Sequence, residues 1–540
     1  MTRPFLRASL TPWLPLCVAL LAGVSQALAL ALPGSGQPSG LLQIGGLAVF
    51  HALLRRAPSV RRGALLGWLF ATAWLAATVW WLFISLHTYG GLAAPLAALA
   101  VLALAAFLAL YYALAAGLFV RWWRARGDAA GSVGVIAGVL LFGALMMGAE
   151  LLRGTLWTGF PWGAPGYAHV DNAVLRPFAA WLGVYGIGAL AAVCAAAVSE
   201  AVHAAGRRRA GATVAAWGTV LAVGLLGQGL AALEGRVPAW RGADTGRLSV
   251  QLLQGNIPQD EKFVIGAGIE KSLVWYGQHL WAARADLVVL PETAIPLLPA
   301  QLPPDYWPQL RQIVASAGQA ALIGAPLGDV ETGYTNSVVG LSPDLPEDSP
   351  YRYDKHHLVP FGEFIPPLFR WFTELLNIPL GDFNRGGLAQ PTFDWRGQRI
   401  APNICYEDLF GEELARGFAQ ADQAPTLLVN VGNIGWFGDT VAIAQHLQIS
   451  RMRTLELDRP MLRATNTGAT AVIDRQARVL AEARPYTEAV LSAEVEGRSG
   501  RTPYAAWVSR LGLWPLHALA LLAAALALRA GRSGRRARVR

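Results

Sequence analysis

Before residue 234 the chain is built from apolar runs of helix length. They lie near 10–32, 40–54, 64–86, 92–120, 132–152, 176–202 and 212–233, and another follows near 507–528. About 20 mostly apolar residues cross a bilayer core, so eight such runs predict a multi-pass α-helical membrane bundle, with the second run short. Composition agrees. Only 15% of residues are charged and 54% are hydrophobic, against about 25% charged in a soluble domain, and this hydrophobicity excludes intrinsic disorder. The three cysteines, Cys17, Cys194 and Cys405, exclude a disulfide scaffold and a multi-cysteine metal site. Cys17 and Cys194 read as small apolar helix residues.

Charge is distributed unevenly. Residues 234–503 hold 23 basic and 31 acidic residues, and the rest of the chain 21 and 4. The overall charge of +9 therefore does not mark a nucleic-acid binder, whose basic residues would cluster on its folded domain. The arginines instead punctuate the apolar runs. If the N-terminus, with Arg3 and Arg7, is cytoplasmic, the inside loops contain Arg55, Arg56, Arg61 and Arg62, then Arg121, Arg124 and Arg126, then Arg207, Arg208 and Arg209. The tail adds Arg529, Arg532, Arg535, Arg536, Arg538 and Arg540. The connections at 33–39 and 87–91 have no Lys or Arg, and the one at 153–175 has only Arg153. This is the positive-inside pattern. It predicts a seven-span region over 1–233, an outer domain over 234–503, periplasmic in a Gram-negative cell, and a C-terminal span with a basic cytoplasmic tail over 504–540.

Other features of the apolar part are less specific. The first run, ending at Ala27-Leu28-Ala29, also resembles a signal peptide. The loop Thr155–His169 is rich in aromatic, Gly and Pro residues and reads as an interfacial aromatic belt or, alternatively, a lipid-contact surface. Gly183 to Gly188 superficially suggests a nucleotide loop, but it lies in an apolar run with no preceding strand.

From Arg247 onward, short strands alternate with amphipathic helices. Strands are expected at 248–253, 286–290, 320–324, 337–341, 399–404, 426–430, 461–465 and 470–473, with helices at 268–284, 305–317, 409–418 and 440–458. This pattern argues an α/β layered domain. Reactive side chains fall at strand ends. Leu290-Pro291-Glu292-Thr293 ends one strand, and Ile404-Cys405-Tyr406-Glu407-Asp408 ends another and opens a helix. A nucleophile at a strand-to-helix turn is exposed beside main-chain N–H groups that can bind an oxyanion. A third element is Tyr353-Asp354-Lys355-His356-His357-Leu358-Val359-Pro360-Phe361-Gly362-Glu363.

Glu, Lys and Cys in that order and in those contexts resemble the nitrilase superfamily, whose domain is an α-β-β-α sandwich. With eight spans around it, the chain resembles the bacterial apolipoprotein N-acyltransferase family. Gln254-Gly255-Asn256-Ile257-Pro258-Gln259, Trp436-Phe437-Gly438-Asp439, Gln445-His446-Leu447-Gln448 and Arg463-Ala464-Thr465-Asn466-Thr467-Gly468 add to the likeness. One departure is Ile434, where the family often has an acidic residue.

The resemblance implies roles. Cys405 would attack a phospholipid acyl ester to form a thioester. Glu292 would be the general base and then the acid. Lys355 would stabilise the oxyanion, with the N–H of Tyr406 as a second donor. Glu363, Tyr406 and Glu407 would be supporting residues, with Glu363 orienting Lys355 or assisting proton transfer. The acceptor would be the amine of a diacylglyceryl-cysteine apolipoprotein at the inner membrane. No cofactor or metal is implied, and His356, His357 and His446 lack metal-ligand partners at helical spacing. Trp240 and Trp436 are candidate lipid contacts. Arg451, Arg453 and Arg463 read as structural ion pairs rather than phosphate binders. Proton transfer from a free Cys to a free Glu costs about 6 kcal/mol, so the site is expected to raise the Glu, lower the Cys, or both. Two other readings stand beside this one: a membrane-tethered nitrilase-type amidohydrolase that uses water as acceptor, and a transporter or receptor. The spans argue against the latter, with almost no ionisable residues away from their ends.

Overall fold

The computed structural model describes residues 13–126, 131–234, 236–237, 240–329, 331–346, 349–366 and 383–538, with side chains to residue 530. Arg3, Arg7 and the side chains of the tail arginines from Arg532 lie outside the described residues. The chain divides into two units. One comprises Met1–Trp80, Pro95–Leu233 and Leu513–Arg540, the other Trp81–Ala94 and Glu234–Gly512.

In the first unit the helices Ala94–Arg126, Ser132–Thr155, Arg176–Gly206 and Ala210–Ala232 are long and apolar enough to cross a membrane. Leu14–Leu30 and Gly40–Arg55 are shorter apolar helices. Two further runs are each a bent pair of helices, which brings the candidates among the described residues to as many as six if each pair is one span. The run at 64–86, expected to be continuous, is one such pair. Its first helix ends at Thr78, and Leu82–Tyr89 follows after a break. From the break onward the side chains commit to the second unit: Trp81 donates its indole N–H to Gln445 at 3.1 Å and packs on Phe437. The run at 507–528 breaks between Leu511 and Trp514, where Gly512 adopts φ 58° and Pro515 sits at the start of the next helix. Both residues are punctuation that apolarity alone does not reveal.

Small residues let the helices of the first unit approach. A Cβ on Gly23 would collide with the carbonyl oxygen of Phe70, so the close approach of Leu14–Leu30 to Val60–Thr78 requires glycine there. The loop at 155–169 differs from an aromatic belt. Trp157 is exposed, but Trp162, Ala164, Tyr167 and His169 are buried. Arg153 gathers the loop inward. Its guanidinium donates to the carbonyls of Phe160 and Trp162 at 2.5 and 2.7 Å while paired with Glu150 at 2.7 Å. Gly183 kinks the helix Ala179–Gly206 with φ 66°.

Among the described residues the second unit holds two six-stranded sheets. The strands are β1 (Asp244–Gln254), β2 (Leu287–Val289), β3 (Ala320–Asp329), β4 (Gly333–Leu341), β5 (Tyr351–Asp354), β6 (Phe393–Trp395), β7 (Gln398–Ile404), β8 (Leu427–Gly432), β9 (Met461–Thr465), β10 (Ala471–Ile473), β11 (Val479–Glu482) and β12 (Ala489–Arg498). Their orders are β12-β1-β2-β3-β4-β5 and β11-β10-β9-β8-β7-β6. Parallel pairing holds the centre of each sheet, β1-β2-β3 in one and β7-β8-β9 in the other.

Strand alternation sorts the side chains into layers. Leu287 and Val289 join Leu248, Val250 and Leu252 in a core shared with Ile400, Ile404, Val429 and Val431 of the other sheet. Val288 points the opposite way, into a second core with Tyr276 and Leu280 of the helix Gly268–Ala282 and with Leu310 and Val314 of the helix Tyr306–Ala317. The outer face of the second sheet meets a polar layer instead. There Arg463 of β9 donates to Asp408, Asn430, Ser450 and His446. The expected helix at 409–418 is a series of short turns, Cys405–Leu409, Gly411–Leu414 and Ala415–Phe418.

Candidate active site

The site is assembled from strand ends and the loops that follow them. Glu292 lies just after β2, Lys355 just after β5, and Cys405 just after β7. Cys405 adopts φ 51° and Thr293, next to Glu292, φ 48°. Both turns therefore place a non-glycine residue in the left-handed region, which costs energy unless the surroundings fix it. At Glu292 the fixing is visible. β3 passes so close that a Cβ on Gly324 would collide with the carbonyl oxygen of Pro291.

Both oxygens of Glu292 are occupied. Oε1 accepts from Asn336 Nδ2 at 2.7 Å and Lys355 Nζ at 3.1 Å, and Oε2 accepts the main-chain N–H of Asn433 at 2.9 Å. Glu363 sits beside it. Its Oε1 accepts from Lys355 Nζ and Asn336 Nδ2, each at 2.8 Å, and its Oε2 accepts the N–H of Val359 at 2.8 Å. The Lys355 ammonium is thus held between two carboxylates, and Glu363 orients it directly. Cys405 is half-buried, and Glu292, Lys355, Glu363 and the Asn433 N–H all act on its thiol.

Glu407 has a different task. Its Oε1 accepts the main-chain N–H groups of His356 and His357 at 2.7 and 3.2 Å, and its Oε2 accepts from Ile404 N and Tyr353 Oη at 2.6 and 2.9 Å. Tyr406 is buried against His357 and Phe410. Behind the nucleophile, Asn430 Nδ2 donates to the Cys405 carbonyl at 3.1 Å.

The electrostatics at rest run opposite to the expectation. Burial would raise Glu292, but Lys355, Asn336 and Lys262 outweigh it and hold the carboxyl below its ordinary range. Burial, then the Glu292 charge, pushes the Cys405 thiol up, against Lys355 and the Asn433 N–H. Burial also opposes the charge on Lys355, yet Glu292 and Glu363 keep it protonated above the usual range. The resting pair is therefore carboxylate and thiol.

The remaining candidates divide. Trp436 is half-buried and packs edge-on against Tyr89 at 5.6 Å. Trp240 is only 5% exposed and its indole N–H donates to Asp458 at 3.2 Å, an internal tie that leaves little ring surface for lipid. Ile434, 1% exposed, fills an apolar position. His356, His357 and His446 pair with the Gly386 carbonyl, Glu413 and Asp408. Arg453 and Arg463 pair with Glu456 and Asp408, and Arg451 holds the Ala477 carbonyl at 2.7 Å.

Asn336, Asn433 and Lys262 were not among the sequence candidates. Lys262, on the loop after β1, is 1% exposed, and its Nζ donates to the main-chain carbonyl of Glu292 at 3.0 Å. Burial pulls its pKa down to about 8. Set beside Asp260 and Glu261 in the sequence, it looks like part of a solvated charge cluster.

Comparison with known proteins decides the family. Residues 22–197 match the apolipoprotein N-acyltransferase N-terminal domain, and residues 254–504 match the carbon-nitrogen hydrolase domain. A protein of Verminephrobacter eiseniae named apolipoprotein N-acyltransferase is 55% identical, with 93% of each chain covered. The chain belongs to the apolipoprotein N-acyltransferase family. A Ralstonia nicotianae protein of the same name is 47% identical over 86% of this chain and 85% of its own. One from Bordetella bronchiseptica is 42% identical over 96% and 97%. Membership of this family makes the chain an acyltransferase with a carbon-nitrogen hydrolase fold, and the hydrolase reading is not favoured.

Proposed function

We propose that this chain moves an acyl group from a membrane phospholipid to the α-amine of a diacylglyceryl-cysteine apolipoprotein, through a thioester on Cys405. The observation that carries the mechanism is the Glu292 carboxylate, ionised and held by Lys355 and the Asn433 N–H, both of which also act on the Cys405 thiol.

In the first half-reaction Cys405 Sγ attacks the ester carbonyl carbon while Glu292 takes the thiol proton. The carbonyl π electrons move to oxygen, where Lys355 and the N–H of Tyr406 oppose the charge. Collapse forms the thioester and breaks the bond to the glycerol oxygen, which leaves with the proton from Glu292 as a lysophospholipid. In the second half-reaction the amine attacks the thioester carbonyl and gives a proton to Glu292. The C–S bond breaks, and the sulfur recovers that proton. Glu363 keeps Lys355 in place throughout.

The arginine asymmetry supports eight spans with both termini cytoplasmic and the catalytic unit in the periplasm. Phospholipid and apolipoprotein would both be membrane-anchored substrates. The test is reconstitution. Purified chain in vesicles should add one acyl chain to a diacylglyceryl peptide with a free amine, read by mass. No product under conditions where the phospholipid is nevertheless deacylated would overturn the proposal.

A further inference from the structure

We infer that Lys262 is a positioning residue for the general base: it holds the turn that presents Glu292 and supplies a second positive charge to its carboxylate. The inference rests on the reading of Glu292 as base.

The geometry has three parts. First, Lys262 is buried, and its Nζ reaches the Glu292 carbonyl rather than its carboxylate. An ammonium is costly to bury, and packing alone would be served by Met or Leu, so the charge itself is in use. Second, the bond falls on the peptide that joins Glu292 to Thr293, the residue with φ 48°. A left-handed non-glycine residue relaxes unless its neighbours are tied down, and the carbonyl of Glu292 is the atom that would swing. Third, the same loop reaches the other side of the carboxylate. Gln259 Oε1 accepts from Asn433 Nδ2 at 2.8 Å, and the Asn433 N–H donates to Glu292 Oε2. The loop after β1 therefore sets both the backbone and one carboxylate oxygen of the base.

The other charged or titratable groups around Glu292 come from two further places, the loop after β5 and the end of β7. Lys355 approaches Oε1 from the loop after β5, Glu363 shares Lys355 and Asn336 with it, and the Cys405 thiol feels its charge from the end of β7. Losing Lys262 leaves all of these unchanged but removes one of two cations that favour the ionised carboxylate. The base is then protonated at higher pH.

The test compares Lys262→Met, Lys262→Gln, Lys262→Arg and Glu292→Gln in the full chain in vesicles. Readouts are kcat, the KM for phospholipid, and the pH profile of kcat/KM. For Lys262→Met the expectation is a kcat about tenfold lower, a phospholipid KM within about twofold, and an acid limb about one pH unit higher. Lys262→Arg should keep the acid limb. Lys262→Gln retains a donor for the carbonyl but not the charge, so its acid limb must move like that of the Met variant, and it serves should that variant not accumulate. An unmoved acid limb in the uncharged variants overturns the inference, whether the rate falls or not. Full activity in Glu292→Gln would instead overturn the reading of Glu292 as base, which separates the two failures.

Discussion

Glu407 accepts the main-chain N–H of His356 at 2.7 Å, and so ties the loop that carries Lys355 to the turn that carries Cys405. The same carboxylate accepts from Ile404, immediately before the nucleophile. Because it accepts four donors, it cannot be replaced by a group that donates. Glu407→Gln would turn an NH₂ toward an N–H or toward Tyr353 and leave a buried donor unpaired, at a cost of about 1–3 kcal/mol. The expected result is a lower unfolding temperature together with a large fall in kcat. A variant with parental stability and rate would contradict this role.

Cys405→Ala, Glu292→Gln and Lys355→Ala should each reduce turnover by several orders of magnitude while the protein still inserts. Combining any two should cost little more than one alone, because groups that act as a unit lose their joint effect together. Rates of the three single and three double variants, at matched amounts of inserted protein, check this. Additive losses would mean that the three do not serve one step.

The resting thiol gives a pH prediction. Burial and the Glu292 charge raise the Cys405 pKa, so less thiolate is present at about pH 7 to 9 than in free cysteine, whose pKa is about 8.5. Alkylation by iodoacetamide, followed on the Cys405 peptide, should be slower than for a free thiol across that range and still rising at its upper end. Replacing Glu292 by Gln removes the opposing charge and should shift the alkylation curve to lower pH. A curve that levels off below about pH 8 in the parent protein would contradict the assignment of carboxylate and thiol as the resting pair.

How far the sequence went depended on what each element buries. β8 to β10 lie inside, so their apolar, β-branched runs were readable. β12 was not, because its residues alternate between half-buried and exposed over most of its length, which leaves little apolar signal in Ala489–Arg498. β5 and β6 are too short to show a period. The breaks after Thr78 and Leu511 sit within apolar sequence and depend on where Trp81 finds Gln445 and on one glycine. Glu292 and Cys405 stood out by strand-end context, and Lys355 and Glu363 by the family motif that holds both. Lys262 had no local signal, since its burial is created by a loop that folds onto the turn after β2. The sense of the pKa shifts was also beyond the sequence, because it follows from counting charges in three dimensions: two lysines act on Glu292, and two carboxylates on Cys405.

Orientation can be tested independently of chemistry. A reporter active only outside the cytoplasm, fused within 240–500, should be active, and the same reporter fused within 55–62 should be silent. Activity at 55–62 would reverse the proposed topology.

The central claim is that Cys405 carries the acyl group and passes it to an amine. The direct measurement is the mass of the Cys405 peptide over time. Phospholipid alone should add one acyl chain that persists, and a diacylglyceryl peptide with a free α-amine should discharge it, with ping-pong kinetics. An N-acetylated peptide should leave it in place, since its nitrogen is not nucleophilic. Rapid loss of the acyl group in buffer, unchanged by the amine, or no acyl group on Cys405 in a protein that turns over, would contradict the account.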